Sequence, residues 1–207
     1  MTALVKSARK QDSQHGASFD LLNLSEILYY EGENFIYPSQ SELIENWENL
    51  KKGDERIQSC LRGAKLINKF LQKGQEETGV YRLFKQTLSA MNVEEQVNWR
   101  SVEIGFYLKL IKLAGIKPAL LNCSLCGSSV DVGEKVGFSP SSGGVVCDNC
   151  NKPDDSFAIS PRLRKSLNIL GDLPQEMADR LALSRKDYLE SLKILDRLAE
   201  YHLEIKK

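Results

Sequence analysis

The segment Cys123-Ser124-Leu125-Cys126, residues 127–146, then Cys147-Asp148-Asn149-Cys150 carries two CxxC pairs. Two residues between cysteines let a tight turn aim both sulfurs at one point. A hairpin-sized insert brings the second turn back to complete a tetrahedron. Two such pairs at this separation are the signature of a Zn2+ site with Cys123, Cys126, Cys147 and Cys150 as ligands. Thiolates fill all four coordination places and leave none for water or substrate, so the expectation is one structural zinc rather than a catalytic one. Two disulfides, or four unrelated buried thiols, are the alternatives for the same residues.

Working outward, Gly127, Gly133, Gly137, Gly143 and Gly144 punctuate the module, with strand-like pieces at 136–138 and 144–147. Little core, many turns and a metal that supplies folding energy describe a small zinc ribbon. Helical periodicity flanks it on both sides. Ser41 is the expected N-cap of a short helix through Trp47 and Leu50. Ile57, Cys60, Leu61, Ala64, Ile67 and Leu71 then recur at helix spacing, with Arg56, Arg62, Lys65 and Lys69 between them. Val80, Leu83, Phe84 and Leu88 give the next apolar face after a loop ending near Gly79. A third helix spans about 97–114 through Trp99, Val102, Phe106, Leu110 and Leu113, with Gly115 as C-cap and Pro118 as a stop. Beyond the module, Ser160 caps a helix that has Pro161 in its first turn, Leu163, Leu167 and Leu170 on its face and Gly171 at its end. Ser184 opens the last helix, with Leu189, Leu192, Leu195 and Leu198 facing inward and Tyr201-His202 near its end.

The N-terminal part reads differently. Residues 1–18 are basic and polar, a strand end running into a loop. From Phe19 to Tyr30, and again over Phe35-Ile36-Tyr37, strand formers partly alternate around a turn at Gly32 and Asn34. This predicts two or three antiparallel strands, too few to be stable without something to pack on. The organisation expected is strands over 1–40, a helical domain over 41–118, the metal module over 119–157 and the rest of the helical domain over 158–207. The metal module is therefore inserted into a helical bundle.

Composition narrows the function classes. Hydrophobic residues at 42% and charged residues at 27% describe a globular chain, and 28 basic against 28 acidic residues announce no nucleic-acid partner by bulk charge. Any such partner must be met by a local basic patch. Three groups qualify: Lys6, Arg9 and Lys10; Lys109, Lys112 and Lys117; Arg162, Arg164 and Lys165. The second and third flank the metal module and are expected to converge on one surface. Five cysteines without a secretory-signal core point to a reducing, cytoplasmic setting, with Cys60 as a small buried helix residue. No apolar run is long enough to span a membrane. Phosphate-binding glycine loops, HExxH and GxSxG are absent, and His15 and His202 have no metal spacing to the cysteines, so no enzyme is expected.

The run Tyr107-Leu108-Lys109-Leu110-Ile111-Lys112-Leu113-Ala114-Gly115-Ile116-Lys117-Pro118 precedes Cys123-x-x-Cys126-Gly127. Phe138-Ser139-Pro140 and Gly143-Gly144-Val145-Val146-Cys147-x-x-Cys150 follow. Together they resemble the bacterial RecO family of DNA repair and recombination mediators. The resemblance implies a mostly α protein with small β parts: an OB-fold remnant, a helical bundle domain and an inserted four-cysteine zinc ribbon-like module. It further implies binding of single- and double-stranded DNA, strand annealing and assistance to RecA loading on DNA coated by single-stranded-DNA-binding protein (SSB). The partners implied are RecR and the SSB C-terminal tail, at the nucleoid and not at a membrane. An OB fold has five strands, and residues 1–40 have room for its last two or three. The expectation is a partial barrel with open edges, less soluble or more oligomeric than a form with the remaining strands. Phe19, Tyr29, Tyr30, Phe35 and Tyr37 are its candidates for base stacking. A zinc-stapled protein-interaction scaffold without DNA binding is the alternative function.

Overall fold

A computed structural model of the chain describes residues 16–71, 77–94, 96–131, 133–134, 136–150 and 152–202. Lys6, Arg9, Lys10 and His15, together with the basic loop that holds them, lie outside the described residues. The architecture is mostly helical with two small antiparallel sheets.

The organising helix is α4, Trp99–Leu113. Its apolar residues do not form a stripe. Val102, Ile104, Phe106, Tyr107, Leu108, Leu110 and Ile111 are all buried, as expected of a helix that is hydrophobic all round. It packs against α2 (Asp54–Phe70), α3 (Thr78–Met91), α5 (Pro161–Asp172), α6 (Arg185–His202) and a 3-10 segment at Gln175–Arg180. The helices on either side of the cysteine module in sequence thus share one core.

Helix ends follow the chemistry read from the sequence. Ser160 Oγ accepts the Leu163 N–H at 3.1 Å with Pro161 beside it. Ser184 Oγ accepts the Asp187 N–H at 3.1 Å. Gly115, at φ +88°, ends α4 by donating to Lys112 O, and Ile116 N–H reaches back to Ile111 O at 2.9 Å. Two expectations are corrected. Ser41 caps no helix: it sits in a strand that continues to Glu45, and the short helix α1 is Glu48–Lys51. Its amide groups Asn49 N–H and Leu50 N–H are capped instead by Asn92 Oδ1, at 2.9 and 3.1 Å, from the end of α3. Leu189 is about half exposed rather than inward, and Leu113, on the apolar run of α4, is half exposed as well.

The first sheet is a ribbon of β1 (Leu24–Glu31) and β2 (Ile36–Glu45), paired from Leu24↔Glu45 to Glu31↔Ile36 with irregularities after Leu24 and Leu28. No third strand joins it among the described residues. It is fixed to the helical body at its base. Leu22 and Leu24 pack on the core. Trp47 is buried with a left-handed backbone (φ 44°), and its indole N–H reaches Ser89 Oγ at 3.4 Å. Such a conformation is rare for a bulky residue, and it turns the chain from β2 into α1. The second sheet has order β4-β3-β5, where β3 is Val136–Ser139, β4 Gly144–Val146 and β5 Phe157–Ile159. Every residue of β3 and β4 is buried.

Candidate metal centre and its surroundings

Each cysteine pair is set by its own turn. In the first, the Cys123 N–H donates to Ser128 O and the Gly127 N–H to Cys123 O at 2.9 Å, with Gly127 at φ +75°. In the second, the Cys150 N–H donates to Cys147 O. The four Sγ atoms all lie within 4.8 Å of one another. Cys123 and Cys150 sulfurs are 3.9 Å apart, and Cys126 and Cys147 sulfurs 3.8 Å. Tetrahedral thiolate–metal bonds of about 2.3 Å place sulfurs about 3.8 Å apart, so the spacing fits a single ion at the centre. All five cysteines are free thiols, which removes the disulfide alternative.

The charge state points the same way. Burial pushes the Cys123 thiol up, but N–H groups of Cys147, Cys126 and Leu125 outweigh it and bring it down to about 6. Ser128, through its hydroxyl and its N–H, lowers Cys126. The sulfurs of Cys126 and Cys147 hold Cys150 up, to about 12. Four sulfurs this close cannot all ionise without a cation to take up the charge.

A second constellation stiffens the loop between β3 and β4. Asp155 accepts from Ser139 Oγ (2.8 Å), the Ser141 N–H (2.7 Å) and Ser141 Oγ (2.9 Å). These bonds, set against the opposing push of burial, hold its carboxyl below the usual range. His202, at the end of α6, meets Pro140 O at 2.8 Å. Ser124, inside the first cysteine turn, bonds Val145 O through both its N–H (2.8 Å) and its hydroxyl (3.0 Å). The paired glycines have separate reasons. Gly143 has φ +75°. A Cβ on Gly144 would fall 2.4 Å from Ala119 O, where the chain leaving α4 bridges onto β4. The metal turns, the sheet and the ends of α4 and α6 form one connected unit.

Residues 55–207 match the family described as Recombination protein O C terminal. The chain belongs to the RecO family. Three relatives named DNA repair protein RecO show the extent of the likeness. That of Caldanaerobacter subterraneus subsp. tengcongensis is 29% identical over 99% of this chain and 82% of its own length. That of Thermoanaerobacter sp. is 29% identical over the same shares. That of Alkaliphilus metalliredigens is 28% identical, again over 99% and 82%. The Phe138-Ser139-Pro140 and Gly143-Gly144 motif that carried the resemblance to RecO is the Asp155- and His202-braced loop described above.

The predicted basic surface of this RecO family member is smaller than its sequence implies. Arg164 is 1% exposed and donates to Asp131 O, which corrects its placement among residues that meet DNA. Lys109 is largely turned inward: its ammonium donates to Leu170 O at 2.8 Å and Gln175 Oε1 at 3.1 Å, and burial lowers it to about 8. Lys112, Lys117, Arg162 and Lys165 are exposed. Lys112 lies 3.9 Å from Asp172, at the end of α5, and Arg162 lies 3.8 Å from Asp187, at its start. Ten residues of helix separate Arg162 from Asp172 by about 15 Å, so Arg162 and Lys112 do not converge as expected, whereas Lys117 lines a pocket with Asn168, three residues beyond Lys165.

Two features escaped the sequence. Glu103, buried in α4, accepts both Nε and Nη2 of Arg62 at 2.7 Å and the Tyr188 hydroxyl at 2.9 Å, tying α2, α4 and α6 together. Its signal was an acidic residue within an otherwise apolar helix. Above it, Arg62, Trp99, Arg100, Arg185, Leu189 and Leu192 line a groove of about 570 Å³. Arg100 stacks over Trp99 at 4.6 Å, and the Trp99 indole donates to Glu55 at 3.0 Å. Of the basic residues on α2, only Arg62 lines this groove. Arg56 is engaged by Met91 O and Val93 O.

Proposed function

We propose that the chain is a non-enzymatic mediator of DNA repair and recombination. In this reading it binds single- and double-stranded DNA, anneals complementary strands and assists RecA loading on SSB-coated DNA, with RecR as a partner. The observation that carries it is the family match across 55–207 together with relatives named DNA repair protein RecO. The β1–β2 ribbon supports it with exposed aromatic residues: Tyr29, Tyr30 and Phe35 are accessible, and Tyr30 stacks on Tyr37 at 5.3 Å. Rings on an open sheet are what single strands stack on. Lys112, Lys117, Arg162 and Lys165 supply phosphate contacts whose contribution falls with salt.

The four-cysteine centre holds one Zn2+, bound by Cys123, Cys126, Cys147 and Cys150. The ion closes the two turns and has no open place, so its role is structural. The groove beside Trp99 is the site for the SSB tail, an acidic segment with an apolar end. Arg62, Arg100 and Arg185 outnumber Asp54 and Glu55 in its lining, with Arg62 paired to Glu103 and Arg100 3.8 Å from Glu55, and Trp99, Leu189 and Leu192 offer apolar surface within it.

Anisotropy of a labelled single-stranded oligonucleotide, titrated at rising salt, tests the DNA reading. Binding that weakens steeply with salt supports it. The burial of Lys109 and Arg164 favours the other reading, a zinc-stapled scaffold that contacts only proteins. Absence of binding at low salt establishes that reading instead.

A further inference from the structure

We propose that Ser128 shields Cys126, so that an electrophile reaching the metal-loaded centre attacks the less exposed Cys150 first. The inference rests on the metal reading of the four cysteines. Exposure alone predicts another order: Cys126 is exposed, Cys150 half-buried, and Cys123 and Cys147 buried.

Hydrogen bonding reverses that order. The Cys126 thiol donates to Ser128 Oγ at 3.3 Å; once Cys126 is a metal-bound thiolate with no proton of its own, the Ser128 hydroxyl is the donor across the same distance, and the turn that carries Ser128 is fixed by the Cys123 N–H on Ser128 O at 2.8 Å. Cys123 Sγ faces the Cys147 N–H at 3.4 Å. Among the described residues, no N–H or hydroxyl donates to Cys150 Sγ, whose sulfur neighbour Cys123 is 3.9 Å away. A donor withdraws charge from a thiolate and lowers its nucleophilicity. A metal-bound thiolate without one keeps its lone pair available. The ordering follows from this contrast: Cys123 and Cys147 are sheltered by burial, Cys126 by Ser128, and Cys150, among the described residues, by neither.

With iodoacetamide as the probe, a Cys150 Sγ lone pair forms the S–CH2 bond while the C–I bond breaks and iodide leaves with its electrons. The neutral thioether that results is a poorer ligand, so metal release follows alkylation. The test uses the full chain as purified, its metal content measured first. It is treated briefly with substoichiometric iodoacetamide, then digested and mapped by mass spectrometry, with metal release followed by a chromogenic chelator.

The wild-type protein is expected to carry its first label on Cys150. Ser128→Ala is expected to speed labelling of Cys126 roughly tenfold, the effect of one lost bond to a charged group, and so to move the first label there. Ser128→Thr keeps the hydroxyl and the wild-type order. First labelling of Cys126 in the wild type overturns the proposal and leaves the metal reading standing. So does an unchanged order in Ser128→Ala protein that holds its metal. A wild-type chain that binds no metal overturns both.

Discussion

The two small sheets of this molecule have opposite environments. The cysteine module presents β3 and β4 with every residue buried. The β1–β2 ribbon has longer strands, yet Leu28 is 60% exposed, Tyr30 62% and Ile44 52%. Backbone pairing is sound in both, so pairing does not make the difference. Cover does. The module is inserted between α4 and α5, bridged at Ala119–Gly144, braced by Asp155 and His202, and closed at one end by four converging cysteine sulfurs. The ribbon is held at its base by Leu22, Leu24 and Trp47, and its outer residues have no described neighbour to bury them. Two strands gain little stability alone, and what a small sheet contributes is decided by what lies across its faces.

The largest effect is expected where cover depends on the metal. Cys147→Ser removes one ligand and should release the ion and unfold the module, a loss of several kcal/mol given the size of structural-metal binding energies. Metal analysis and hydrogen exchange read the outcome together. Exchange should rise over β3 and β4 and stay unchanged over β1 and β2. Stoichiometric metal retained by the variant would falsify the four-thiolate site. Next comes Phe138→Ala. Its ring is fully buried and packs on Phe157 at 5.8 Å, and deleting it should cost about 4 kcal/mol by denaturant titration. On the ribbon, Tyr30→Ser removes a larger side chain, yet should change stability by no more than about 0.5 kcal/mol. Equal losses for Phe138→Ala and Tyr30→Ser would abolish the distinction between the sheets.

The sequence made the covered region legible and the uncovered one less so. The spacing of Cys123, Cys126, Cys147 and Cys150 is a local signal with one geometric solution, and the structure brings those sulfurs together. Ser160, Ser184 and Gly115 were equally readable, because capping depends on a residue and its near neighbours. Ser41 failed because a β-strand ending in Glu42, Leu43, Ile44 and Glu45 offers enough apolar and acidic character to pass for a first helical turn. The real cap, Asn92, comes from another helix and has no local signature. Basic side chains were the least readable. Charge in a sequence does not distinguish a solvated lysine from Lys109, whose partners Leu170 and Gln175 are more than sixty positions away. Arg164 was misread for the same reason, since its acceptor, Asp131, lies inside the cysteine module, thirty-three positions away.

The helical body that covers the module carries a cost of that cover in Lys109, which yields the smallest predicted effect. Burial lowers this ammonium from 10.5 to about 8, so the folded state disfavours its charged form. Below about pH 8 both folded and unfolded states hold the proton, and the penalty is present in full. Between about 8 and 10.5 the folded state has released it and the unfolded state has not. The unfolded state then binds more protons, and stability rises with pH across this window. The side chain keeps some contact with solvent, so the rise should be on the order of 1 kcal/mol. Denaturant midpoints at pH 7, 8, 9 and 10 measure it against Lys109→Met, in which the rise should flatten. A wild-type stability that stays as level as that of Lys109→Met over this window would mean that the bonds to Leu170 O and Gln175 Oε1 offset the penalty of burial in full. The bonds on Lys109 would then be part of the cover itself.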